Sequence, residues 1–259
     1  MSNLQVLNKI FILFCALLGI QFNKLNNHGI YFKKIVLICI MQLQLFYWIF
    51  SAVLVIVTCY MWKNSTNTIG FYVHLSQVFP PFMIMVYINT CAFMNQDKHQ
   101  EISNGLENID KMLNSVLRKT NNYPKNLICC FIRNCNFMII LKVLRIYLLR
   151  ADFYNILFSC SIFIPELICY ANDFLFIFFI NLLTNKIKKL NKSLSSRTTI
   201  TKSGLLKLQK TSFKIMEISQ KINAFYSKSL CCTIFYNFVS LVICLYWLFT
   251  RIVYNHLNS

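Results

Sequence analysis

Among the ionisable side chains that interrupt otherwise apolar stretches of this chain are His74, Lys142, Glu166 and Asp173. Tyr72, Tyr87 and Tyr170 fall in the same stretches and add hydroxyl groups. At membrane depth a charge costs several kcal/mol unless it is paired or hydrated, so these seven residues are the ligand-binding candidates. The chemistry they offer is recognition of a small polar molecule by ion pairing and hydrogen bonding. The competing reading is that they simply pair with one another between helices. Catalysis is not expected. The chain has no phosphate-cradling glycine loop, no paired-cysteine metal spacing and no His-x-x-x-His pair, and its four histidines, at 28, 74, 99 and 256, are scattered. No catalytic residue, metal ligand or cofactor is assigned.

That reading requires the apolar stretches to be membrane spans. Of the 259 residues 57% are hydrophobic and 13% charged, against about a quarter charged in ordinary soluble domains. Such a composition excludes a disordered or collagen-like chain and disfavours a soluble enzyme, whose surface needs more charge. A helix crosses the bilayer's apolar core in roughly 20 residues. Ile35 to Trp62, Ile69 to Met94, Phe153 to Asn185 and Ser229 to Thr250 are each long enough for one crossing. Leu127 to Leu149 is a weaker fifth, because it carries Arg133, Lys142 and Arg145. Counted from the outer ends of their spans, Lys142 lies roughly 12 Å deep and Glu166 roughly 20 Å, a gap that long side chains could close into an ion pair. The Ile10 to Ile20 stretch is too short to span and is expected to be a short helix on the membrane surface.

Charge separates the two sides. The chain has 26 Lys and Arg against 8 Asp and Glu, a net of +18. With five spans, 21 of those 26 basic residues fall on one side, in residues 1–34, 95–133 and 186–228. Cytoplasmic connections carry the excess of Lys and Arg, so the N-terminus is expected inside. Without the fifth span the two most basic loops would fall on opposite sides. A nucleic-acid surface would gather basic residues and stacking aromatics on one face, whereas here the aromatics lie mainly in the spans. No nucleic-acid partner is expected; membrane lipid is.

The inner segments have helical apolar spacing. Ile102, Leu106, Ile109, Leu113 and Val116 form one stripe in a helix over 100–118. Leu183, Ile187, Leu190 and Leu194 continue the fourth span over 183–194, and Leu205 to Phe225 lead into the fifth over 205–226. Such stripes need a partner: each other, identical subunits, or an anionic lipid surface. Residues 193–203 read as the hairpin between two of these helices. Among the 12 cysteines, most of which read as small apolar residues, the adjacent pair Cys129-Cys130 lies near the cytoplasmic end of the third span, where it could be palmitoylated. Asn64-Ser65-Thr66 is a glycosylation sequon close to the expected outer surface, and Asn191-Lys192-Ser193 is a second on the inner side.

One block of the chain resembles a known family. Leu205-Leu206, Glu217, Ile222-Asn223-Ala224-Phe225-Tyr226-Ser227 and Leu230 look like the pattern leading into the fifth span of insect gustatory receptors, members of the seven-helix insect chemoreceptor superfamily. Ser227 stands where that family usually has glycine. Lys186-Ile187, Leu190-Asn191 and Leu194 resemble its Arg-Phe, Leu-Asn and Leu at the end of the fourth span. The resemblance implies a tetrameric, tastant-gated cation channel of the plasma membrane with its N-terminus in the cytoplasm. It further implies a pocket among the spans that faces outward, and a cytoplasmic anchor of extended helices. The family's signature, Thr-Tyr followed by Gln-Phe, belongs to a seventh span, whereas this chain stops at Ser259 after the fifth, so a receptor truncated before its last two spans is expected.

The expectation taken to the structure is an all-α, polytopic membrane helix bundle. It forms one membrane domain over residues 1–259, with about five spans and long cytoplasmic helices. Its expected function is that of a chemosensory receptor subunit, binding a small-molecule tastant and assembling as a homo- or hetero-oligomer. The alternatives are a small membrane transporter, for which internal repeats and glycine-broken spans would be needed, and a non-conducting scaffold.

Overall fold

The computed structural model describes residues 15, 18, 20, 30–65, 68–116, 125–148, 153–195 and 202–257. Six long helices make up these residues, and no strand occurs among them. They are α1 (Ile30–Ser65), α2 (Thr68–Met94), α3 (Gln96–Val116), α4 (Lys125–Leu148), α5 (Phe153–Ser195) and α6 (Lys202–Leu257). By length and composition α2, α5 and α6 are apolar enough to cross a membrane, while α1 and α4 hold shorter apolar stretches, Leu45–Met61 and Cys129–Leu141. Three such helices are therefore evident, against the five expected. The difference lies in the polar residues of α4 and in the side chains of α1 that fall outside the described residues.

The bundle is organised around α5, which touches every other helix. Its middle is apolar on nearly all sides, and Ile168, Ala171, Phe174, Leu175, Phe178 and Phe179 are all buried. A helix with that pattern has to be surrounded. Pro80 and Pro81 lie inside α2 and Pro165 inside α5. Each lacks the N–H that would close a helical hydrogen bond four residues back, a loss that membrane helices tolerate when neighbours or side chains make it good.

Helix α6 has 56 residues and is therefore about 84 Å long, well beyond the ~30 Å of a bilayer's apolar core. One buried stripe runs along it through Leu208, Thr211, Ile215, Ile218, Ile222, Tyr226, Ser229, Thr233 and Tyr236. Up to about residue 228 its exposed positions are mostly polar, such as Lys207, Gln209, Lys210, Glu217 and Gln220. Beyond that they become Ile234, Phe235, Phe238, Leu241, Leu245, Leu248 and Phe249. The exposed face therefore turns from polar to apolar near residue 228, which divides the helix into a half suited to water and a half suited to lipid.

Helix α3 covers the water-facing half of that stripe. Ile102, Leu106, Ile109 and Leu113 are at most 6% exposed and share one core with Leu208, Ile215, Ile218 and Ile222. Full burial of each such side chain is worth roughly 1.5–3 kcal/mol. The stripes on α3 and α6 are consumed by each other, which removes the alternative of two amphipathic helices lying on lipid. Gly105 permits the close approach, since a Cβ at that position would overlap Ile218 Cδ1. Two ion pairs fasten the arrangement: Lys221 Nζ to Glu101 Oε1 at 2.5 Å, and Lys186 Nζ, on the extension of α5, to Asp110 Oδ1 at 2.5 Å.

The N-terminal stretch departs from expectation. Of Ile10 to Ile20, only Cys15, Leu18 and Ile20 are described, and all three are buried in the main core. They do not lie on a membrane surface, because the bundle offers them both apolar cover and a polar anchor. With its amide oriented to satisfy its neighbours, Asn89 of α2 donates to the Leu18 carbonyl at 3.2 Å and accepts from the Trp48 indole N–H at 3.0 Å. The hairpin expected at 193–203 runs mostly through residues outside those described, between the ends of α5 and α6. Asn64 and Ser65 of the first sequon are the last residues of α1, and Thr66 lies outside the described residues.

The Lys186 side chain is only 6% exposed, whereas that of Asp110 is 35% exposed. Asp110→Ala would strand a buried ammonium and is expected to destabilise the protein by about 2 kcal/mol, less than a fully buried pair because Asp110 keeps contact with water. Replacing both partners, as Lys186→Met with Asp110→Leu, should restore most of the loss. Thermal unfolding in detergent micelles reads this directly: the midpoint should fall in the single variant and recover in the double.

Candidate functional site

A line of buried and half-buried polar groups runs along the contact between α5 and α6. Spacings of four and three residues align Ser229, Thr233 and Tyr236 on one face of α6, where they meet Asn172, Asp173 and Glu166 of α5 respectively. Asn172 Nδ2 donates to Ser229 Oγ at 3.1 Å, and Ser229 Oγ donates to the Tyr226 carbonyl at 2.9 Å. Thr233 Oγ1 donates to the Ser229 carbonyl at 3.0 Å. One to two turns further into the lipid-facing half, Tyr236 Oη donates to Glu166 Oε1 at 3.3 Å. Asp173 sits beside Asn172 and Thr233, and its Oδ1 is buried with no hydrogen-bond partner among the described residues. The seam therefore holds two carboxyl groups in an apolar bundle, one of them with an unused acceptor. Such an arrangement can accept hydrogen bonds from a hydroxyl-rich or cationic small molecule.

Three of the seven residues expected to bind ligand fall elsewhere in the bundle. Tyr170 turns from the seam toward α4, stacking on Phe131 with ring centroids 5.6 Å apart and planes within 5°. Tyr87 is 37% exposed on α2 and hydrogen-bonded to Cys91. Tyr72 is 63% exposed near the start of α2, with its ring edge-on to Phe71. The side chains of His74 and Lys142 lie outside the described residues. Glu166 and Asp173 thus share one interface, while Tyr72, Tyr87 and Tyr170 lie on other surfaces of α2 and α5.

The seam runs directly into a second cluster that sequence reasoning missed. His99, on the first turn of α3, is completely buried. Its ring lies edge-on to Phe225 at 4.3 Å and to Tyr226 at 5.9 Å, with Phe179 tilted against it at 6.4 Å. Neither imidazole nitrogen nor the Tyr226 hydroxyl has a hydrogen-bond partner among the described residues. Burial without a partner penalises the charged ring and pushes the His99 pKa down to about 4. The signal was present in the helical spacing. His99 precedes Ile102 by three positions and Leu106 by seven, so it belongs to the buried stripe of α3. Ser229 and Thr233 likewise continue the stripe of Ile215, Ile218, Ile222 and Tyr226.

No group of three His, Cys, Asp or Glu side chains placed to hold a metal ion occurs among the described residues. Comparison with protein-family models, with curated proteins and with solved structures finds no match to this chain.

The low His99 pKa sets a pH dependence. A histidine in the unfolded chain takes a proton near pH 6.5, whereas His99 in the fold takes one only near 4. Above 6.5 both states are neutral and the stability is complete. Between 6.5 and 4 the unfolded state alone binds the proton, so stability falls as the pH drops, by roughly 3 kcal/mol in total. His99→Phe keeps the ring and removes the titration. The difference in unfolding midpoint between His99→Phe and wild type should therefore grow steadily from pH 7 to pH 4.5. A constant difference across that range would show that His99 does not carry it.

Proposed function

We propose that this chain is a chemosensory receptor subunit of the insect gustatory receptor type, residing in the plasma membrane with its N-terminus in the cytoplasm and forming part of a tastant-gated cation channel. The observation that carries the reading is the continuity of α5 and α6. Both helices bear the blocks that resemble the family, and both extend from an apolar segment into a segment clasped by α3. In the receptors that the chain resembles, extended helices of this kind build the cytoplasmic anchor. Lys186, which stands where those receptors have arginine, holds Asp110 of α3 from the extension of α5. A basic residue at that position thus has a physical task here: it locks the clasp.

Five crossings, formed by α1, α2, α4, α5 and α6, put the 21 clustered basic residues on the cytoplasmic face. In this orientation the clasp of α3 on α6 lies in the cytoplasm, and the Glu166 end of the seam lies toward the outside. A hydroxyl-rich or cationic tastant entering among the spans would meet Glu166 before Asp173. Both carboxylates accept hydrogen bonds, and both are more effective in an apolar surround than in water.

The test is calcium imaging of cells that co-express the chain with an intact co-receptor, challenged with sugars and bitter compounds. A response is expected, and Glu166→Gln and Asp173→Asn should each shift the half-maximal concentration upward by about tenfold, as for the loss of one charge-assisted hydrogen bond. Unchanged sensitivity in both variants would place the ligand elsewhere. Silence toward every compound, with the chain present at the cell surface, would favour the scaffold reading.

A further inference from the structure

The chain contains several free thiols, and its two pairs of adjacent exposed or half-exposed cysteines occupy equivalent places. Cys129-Cys130 lies two residues into the apolar segment of α4, and Cys231-Cys232 lies two residues into that of α6. Lys125 and Lys228 precede them on the basic side. Cys129, Cys231 and Cys232 are exposed, whereas Cys130 is half-buried and accepts from Arg133 Nη2 at 3.7 Å and from Asn134 Nδ2 at 4.0 Å. Two other cysteines show the contrast. Cys91 is half-buried and engaged by Tyr87, and Cys169 is buried within the core.

Cys129 also opens one end of a groove of about 460 Å³ lined by Ile132, Arg133, Asn136, Phe137 and Ile140. These residues recur at three- and four-residue steps on the face of α4 that no other described helix covers, since α4 packs on α5 alone. From Cys129 to Ile140 the groove runs roughly 16 Å along the helix. It is mostly apolar, with a guanidinium near the thiol end. A nucleophile at the membrane surface, an apolar trough leading from it into the bilayer, and a cation at the level of the lipid headgroups together match one modification.

We propose that Cys129 and the Cys231-Cys232 pair are S-acylated by long-chain fatty acids, with the chain on Cys129 lying along the groove of α4. The donor is a long-chain acyl-coenzyme A, delivered by a membrane acyltransferase. The cysteine sulfur attacks the thioester carbonyl carbon, the new carbon–sulfur bond forms and the bond to the coenzyme's sulfur breaks. The cysteine proton ends on the coenzyme thiol, and nothing is oxidised or reduced. A thiol placed at a membrane boundary is suited to this exchange, because the acyl chain then partitions into the bilayer without crossing water. Acylation at Cys129 and at Cys231-Cys232 would anchor α4 and α6 at one level of the bilayer from two sides of α5. The proposal rests on the orientation given above, which places both pairs at the cytoplasmic surface.

The experiment uses the full chain expressed in eukaryotic cells. Free thiols are blocked, thioesters are cleaved with neutral hydroxylamine, and the released thiols are tagged with a maleimide polymer that retards the band on a gel. Hydroxylamine-dependent retardation is expected in the wild type, one step smaller in Cys129→Ser, and two steps smaller when both Cys231 and Cys232 are changed to Ser. No retardation in the wild type, or full retardation when all three are changed, would overturn the proposal. Protease access to an epitope tag placed after Ser259 reports orientation separately. A tag outside the cell together with no retardation sinks the acylation alone, whereas a tag inside the cell sinks the orientation and the proposal with it. Serine at these exposed sites leaves the core intact, and an unchanged elution volume in detergent verifies the fold of each variant.

Discussion

Everything in this structure depends on one requirement placed on α6: a single face must stay buried while the exposed face changes from one suited to water to one suited to lipid. In water a buried stripe is recognised because it is more apolar than the rest of the helix, and Leu208, Ile215, Ile218 and Ile222 fit that rule. In lipid the exposed face is itself apolar, so burial there brings no hydrophobic gain and the buried stripe turns polar. Ser229 and Thr233 are the result. Small polar residues let helices approach closely and hydrogen-bond across the contact. The stripe of α6 therefore gains small polar residues beyond residue 228 without changing its angular position, and α5 faces that part.

The two halves of the stripe do different physical work. Around α3 the driving force is apolar burial, worth roughly 1.5–3 kcal/mol for each fully covered Leu or Ile. The hydrogen bonds of the seam are worth far less, about 0.6 kcal/mol each on average in membrane proteins. The seam therefore cannot be the source of stability. What it supplies is register: Asn172 on Ser229 and Tyr236 on Glu166 can both form at only one axial offset of α5 against α6. Stability resides in the clasp, and alignment in the seam. The half-buried carboxyl groups of Glu166 and Asp173 add a cost to the seam that its hydrogen bonds must offset.

Much of the fold could be read in the sequence because length and apolar periodicity fix helices directly. From residue 30 onward, helices occur over the described parts of the segments that those patterns mark, and α3 and the extensions of α5 and α6 follow the apolar spacing closely. The arrangement of the site was less legible. Glu166 and Asp173 are conspicuous as charges in an apolar run, and they share the seam. Tyr72, Tyr87 and Tyr170 were grouped with them by depth alone, and depth does not specify which way a side chain faces on a helix that is apolar all round. Tyr170 is three residues from Asp173 yet packs on Phe131 of a different neighbour. His99 was overlooked for the opposite reason: its segment is polar overall, and a lone histidine there resembles surface until the stripe of Ile102, Leu106 and Ile109 is extended backward by one turn. The burial of Cys15, Leu18 and Ile20 could not be foreseen, since a short apolar stretch suits a bundle core as well as a lipid surface and only the partner, Asn89, distinguishes them.

The junction of seam and clasp is where the two halves are coupled. Ser229 donates to the Tyr226 carbonyl, and the Tyr226 ring lies against His99. A change in how α5 and α6 pair at Ser229 therefore reaches α3 through one turn of helix and one aromatic contact. The coupling needs no flexible relay, because α6 is continuous across the junction and a helix moves as a unit over a few turns. It does need two alternative packings, since a ligand shifts only an equilibrium whose states it binds differently. The orphaned groups provide the means. Asp173 Oδ1, the His99 nitrogens and the Tyr226 hydroxyl are all buried without partners among the described residues, and a group left so raises the energy of the arrangement by about 1–3 kcal/mol. A hydrogen-bonding ligand that reaches Asp173 would favour whichever packing lets it satisfy that oxygen.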